Sequence, residues 1–148
     1  MKQFMHLAMW MSLAAFLGQA VGCAAETVPL TRSAQIPLAR GQVQTRALDD
    51  GSTRVTVKIE NLVPPQTLRE GASTYVVWAQ PRLEPGDVVA PSPQALGGLE
   101  LDGGMTGRLD TVTRLSAFDV FITPEPSAGV ANPGGDHIAW AAVRRAAR

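Results

Sequence analysis

A single cysteine in 148 residues excludes an intramolecular disulfide. Histidine stands only at positions 6 and 137, too few to assemble the imidazole cluster of a zinc or blue-copper centre. Neither sign of charge prevails, with 13 Lys and Arg against 13 Asp and Glu, so the chain has no basic footprint for nucleic acid. Crossing a bilayer takes about 20 apolar residues. The longest apolar run, Leu7 to Leu17, is interrupted at Ser12 and meets Gly18 and Gln19 before reaching that length. Phosphate-binding loops are missing too: Gly97-Gly98 and Gly103-Gly104 have no lysine and no strand-to-helix setting, and read as turns or bulges. Ser116, Thr123 and Ser127 stand in no nucleophile-elbow context. Asp102, Asp110, Asp119 and Asp136 lack the alternating acids of a calcium loop. No catalytic, cofactor or metal site is therefore expected, and no enzymatic activity.

What is present begins with an address. Lys2 and His6 open the chain, the apolar run follows, and Gly18, Ala20 and Gly22 are the small residues of a cleavage region, so residues 1–22 read as a secretory signal peptide. Ala20-Val21-Gly22-Cys23 resembles the lipobox of bacterial lipoproteins, with Ala20 and Val21 where Leu and a small residue are usual. The resemblance implies cleavage before Cys23, acylation of Cys23, and a lipid anchor facing the periplasm or the extracellular side. Gly22-x-Ala24 and Cys23-x-Ala25 offer ordinary cleavage sites as well, which would release a soluble periplasmic chain. Residues 23–37, with their Thr, Ser and Pro and no clear period, read as a flexible tether. Residues 38–148 then form a single domain.

Within that domain the stretch Thr74–Pro81, Thr-Tyr-Val-Val-Trp-Ala-Gln-Pro, is apolar on both alternating faces. It reads as a central strand that must be covered on both sides. Gln42–Leu48 alternates with Val43, Thr45 and Ala47 on one face, Asp49-Asp50-Gly51 turns, and Thr53–Glu60 returns with Val55, Val57 and Ile59 inward. Pro64-Pro65 ends that ladder, and Leu68-Arg69-Glu70 reads as a short helical turn stopped by Gly71. Pro85-Gly86 and Pro91-Ser92-Pro93 mark a loop. Leu96 to Leu101, Gly107–Thr113, Phe118–Thr123 and His137–Val143 supply the remaining strands. About seven strands at these intervals predict an all-β fold, an antiparallel β-sandwich of Ig-like or Greek-key type. Tyr75, Trp78, Phe118, Phe121 and Trp140 are the candidate core aromatics. Alternation puts Asp119 outside; turned inward, it would need Arg108 or Arg114.

Tyr75-Val-Val-Trp78, Gly97-Gly98-Leu99 and Phe118-x-x-Phe-x-Thr123-x-Glu125-Pro126, followed by Gly129, Pro133 and Gly135, resemble the extracytoplasmic C-terminal domain of anti-sigma-K factors over about residues 74–143. The resemblance implies a β-rich module outside the membrane with a sensing or binding role. The family's zinc-binding cytoplasmic domain and transmembrane helix have no counterpart here, which argues against direct sigma-factor inhibition. The expected function is an exported, non-catalytic sandwich that binds an envelope protein or cell-wall component. Two alternatives stand beside it: a small periplasmic hydrolase or ligand-binding protein using His137 with Asp136 or Glu125, and a purely structural envelope protein. Arg144, Arg145 and Arg148 read as a solvated basic tail.

Overall fold

The computed structural model describes residues 25–83, 85–103 and 105–143. Strands β1 (Glu26–Pro29), β3 (Arg40–Ala47), β4 (Thr53–Glu60), β8 (Gly107–Thr113) and β7 (Glu100–Leu101) form one antiparallel sheet in that spatial order. The second sheet runs β2 (Thr31–Arg32), β10 (Ala139–Ala142), β9 (Phe118–Glu125), β5 (Thr74–Pro81) and β6 (Gln94–Gly98). The protein is an all-β sandwich. Strand β5, the connector through β6 and β7, and β8 follow one another as neighbours, while β9 returns to lie beside β5, which is a Greek key.

The hairpin β3–β4 forms where the alternation places it, with Val43 opposite Val57 and Thr45 opposite Val55. Its turn closes through Gly51, whose φ of 82° needs a residue without Cβ strain. Strand β5 covers Thr74–Pro81 residue for residue and pairs along its length with β9. Tyr75, Val77 and Ala79 face the opposite sheet and pack with Val55, Val57 and Ile59 in the main core. The Tyr75 hydroxyl escapes that core by donating to the Val63 carbonyl at 2.6 Å, and burial pushes its pKa up to about 12.

Three elements differ from the sequence expectation. The expected tether over 23–37 is part of the fold from Glu26 onward: β1 pairs with β3, β2 pairs with β10, and Leu30 and Ile36 are buried. The helical turn falls at Pro65–Thr67 rather than at Leu68-Arg69-Glu70, since the first turn is where a proline's missing N–H costs nothing. The strand expected from Leu96 to Leu101 splits in two. Its first part, β6, pairs with β5 in one sheet, and its second, β7, pairs with β8 in the other.

Leu99 is the crossing point, buried between the layers while its N–H still donates to the Tyr75 carbonyl at 2.8 Å. Leu30 makes the same crossing from β1 to β2, its N–H held by the Gly41 carbonyl at 2.9 Å. Each long side of the sandwich is thus closed by a segment that changes sheets. This leaves only short edge strands open to pairing with another chain.

Candidate functional site

The outward face of the second sheet carries the unusual chemistry. Register places Trp78 opposite Phe121, Val76 opposite Thr123 and Thr74 opposite Glu125, all on the side away from the main core. Val76, Trp78 and Phe121 form a second buried cluster, closed over by Val130 from the loop that joins β9 to β10. The Trp78 and Phe121 rings lie 6.3 Å apart at 13°, and His137 stacks on Phe121 at 4.0 Å and 19°. Cover on both faces of β5 therefore comes from a sheet on one side and a loop on the other.

That loop is latched by Glu125, which is 1% exposed. Its Oε1 accepts from the Thr123 hydroxyl at 2.7 Å and from the N–H groups of Gly134 and Gly135 at 2.8 and 3.1 Å. Its Oε2 accepts from Arg69 Nη1 at 2.6 Å, and the same nitrogen donates to the Pro124 carbonyl at 3.2 Å. Thr123 passes the network inward, because its oxygen accepts the Trp78 indole N–H at 2.9 Å. A Cβ on Gly135 would lie 2.5 Å from the Pro124 carbonyl, so only glycine lets the loop come this close.

Burial by itself pushes the Glu125 carboxyl up, and the hydrogen bonds from Thr123, Gly134, Gly135 and Arg69 together overcome it, so the group sits below its ordinary value of 4.5. A carboxylate with a lowered folded pKa adds stability that is complete above its unfolded value and lost as pH falls through the folded one. The wild-type chain is expected to lose urea resistance as pH falls below the ordinary carboxyl value of 4.5, and Glu125→Gln, which cannot titrate, to lose less. Equal losses in the two chains would remove Glu125 as the acid-sensitive group.

Beside the latched half of this face lies an open groove of about 340 Å³. Gln80, Pro93, Asp119, Phe121, His137 and Trp140 line it. Trp140, expected in the core, is 42% exposed, because Ala139 and Ala141 take the inward positions of β10. Asp119 points outward as alternation predicts; its partner is neither Arg108 nor Arg114 but Arg82, whose Nη2 and Nε donate to Oδ1 at 2.6 and 3.0 Å. Gln80 Nε2 donates to the Pro91 carbonyl at 2.6 Å and pins the β5–β6 loop against the groove.

The residues named for a hydrolase are not joined here. Glu125 is spent on the latch, Asp136 accepts from Gln35 at 3.5 Å, and His137 stacks on Phe121. Among the described residues no hydrogen bond links any two of the three. No group of three or more His, Cys, Asp or Glu poised for a metal ion is found among the described residues, and none of their helices is long and apolar enough to cross a membrane. Cys23 and the arginines 144, 145 and 148 lie outside the described residues. Sequence reasoning missed the latch, although Thr123 and Glu125 stand two apart on the Trp78 face, a spacing that signals a polar pair on one side of a strand.

No family model matches the chain, and no curated protein does. Among solved structures, the crystal structure of the clock protein EA4 is similar at 14% identity, over 80% of this chain and 91% of that one, with a TM-score of 0.48. A likeness at that level assigns the chain no activity.

Proposed function

We propose that this protein is an exported, non-catalytic β-sandwich that binds or senses an envelope component, a protein or a cell-wall polymer, through the groove beside the latched loop. In this reading Cys23 is acylated and holds the domain at the membrane. The resemblance to the anti-sigma-K extracytoplasmic domain supports a sensing role.

The observation that carries the reading is the placement of Trp140. It stands 42% exposed on the rim of a groove of about 340 Å³, next to the Phe121–His137 stack. An exposed indole beside convergent polar groups is the usual makeup of a recognition site: the ring supplies contact area, and Gln80 and Asp119 in the lining supply orientation.

A photo-reactive residue in place of Trp140, in the exported chain in living cells, is expected to give discrete adducts. The same residue in place of Leu38, 76% exposed ahead of β3, is expected to give none. Identical adduct patterns at the two positions, or none at either, would overturn the binding role and leave a structural envelope protein. Mass spectrometry of the mature chain tests the anchor: an acylated N-terminal Cys23 supports it, and an unmodified N-terminus at Ala25 or Glu26 refutes it.

A further inference from the structure

We infer that the end of the sandwich bearing Ala25 is a bilayer-contact surface, with Val88 and Val89 of the β5–β6 loop entering the membrane interface. The inference rests on the acylation of Cys23 for its orientation.

The register defines that end. Glu26 pairs with Thr45 near the β3–β4 hairpin, Thr53 with Thr113, and Pro81 with Phe118. The two sheets are tied together there, since Thr53 Oγ1 donates to the Leu115 carbonyl at 3.0 Å and the Arg82 N–H to the Ala117 carbonyl at 3.2 Å. The first described residue and the β5–β6 loop therefore emerge from one end of the molecule.

One residue, Ala24, separates Cys23 from Ala25, and the two chain steps between them reach at most about 7 Å. With β1 beginning at Glu26 there is no length of tether to lift this end away from an acylated Cys23. The eight-residue strand β5 spans about 26 Å, so the opposite end is held well clear of the bilayer.

The loop at the near end is built for contact. Its base is fixed by Gln80 on the Pro91 carbonyl and by Arg82 on Asp119, and Gly86 turns the chain with φ of 108°. Its tip exposes apolar surface: Val88 is 97% exposed, Val89 79% and Leu83 58%. Adjacent apolar side chains left this open to water on a pinned loop mark an interaction surface. The loop itself carries charges of both signs in sequence, Arg82 at its start and Asp87 just before Val88. The contact therefore depends on apolar insertion to the depth of the headgroup and acyl boundary, about 5–10 Å.

The test uses the acylated chain, in which Cys23 has no free thiol, with Val88→Cys or Leu38→Cys carrying an environment-sensitive fluorophore. After reconstitution in phosphatidylethanolamine and phosphatidylglycerol vesicles, the label at 88 is expected to shift to the blue and to be quenched by nitroxide lipids of shallow depth. The label at 38 is expected to do neither. Equal behaviour at the two positions would overturn the contact, as would a blue shift at 88 that appears without vesicles and grows with protein concentration, which would mark a second copy as the occupant. Failure of the anchor is read separately, by mass. An unacylated chain that still shifts at 88 on added vesicles would lose the anchor and keep the contact, and an acylated chain with no shift would do the reverse.

Discussion

Replacing Trp78 by alanine is expected to lower the unfolding free energy by about 3–5 kcal/mol, the scale for emptying a buried aromatic site. The indole is fully buried, and it is the largest side chain in the cluster it shares with Val76 and Phe121. Its loss also leaves Thr123 Oγ1 without the indole donor that approaches it at 2.9 Å. Trp78→Phe separates the two effects. It keeps most of the apolar contact but removes the donor, and a loss of about 1–2 kcal/mol is expected from that variant. Urea denaturation at neutral pH measures both. A loss below about 1 kcal/mol for alanine would mean that the loop does not seal this face.

The second large effect is expected at Glu125. Glu125→Ala removes the acceptor for the Thr123 hydroxyl, for the N–H groups of Gly134 and Gly135, and for Arg69. Leaving a buried pair with one partner costs about 3–5 kcal/mol. Here the figure falls toward the low end, about 3 kcal/mol, because Arg69 is 35% exposed and regains water once released. The loss is expected to be local as well as global: the amides of residues 126–137 should exchange faster than those of β3 and β4, since the loop loses its tie while the main core keeps its packing. Unchanged exchange in that loop, with stability within about 0.5 kcal/mol of wild type, would show that the network is ornamental.

Much of the sandwich was legible because its strands obey simple alternation. Val55, Val57 and Ile59 face inward on β4, and Tyr75, Val77 and Ala79 do so on β5. The segments that escaped did so for physical reasons. Strands β1 and β2 are too short to display a period, and their burial is concentrated in Leu30, which changes sheets instead of continuing one. Leu99 does the same between β6 and β7, and two strands in different sheets look in sequence like a single apolar run.

Trp140 lies outside the core because position along β10, and not side-chain size, decides which residues face inward. On β10 the inward positions belong to Ala139 and Ala141, which are buried in the main core, and the indole is turned out to the groove. The Glu125 latch escaped because a carboxylate at the end of an apolar strand ordinarily reaches water. Its partners Gly134, Gly135 and Arg69 are supplied by two distant segments, and only folding brings them together.

One outer sheet face is sealed around Trp78 and open around Trp140. Hydrogen exchange of the two indole N–H groups, followed by NMR, addresses this directly. The Trp78 proton, donated to Thr123 beneath the latched loop, is expected to exchange orders of magnitude more slowly than that of Trp140. Comparable exchange at the two indoles would contradict the sealed and open halves alike.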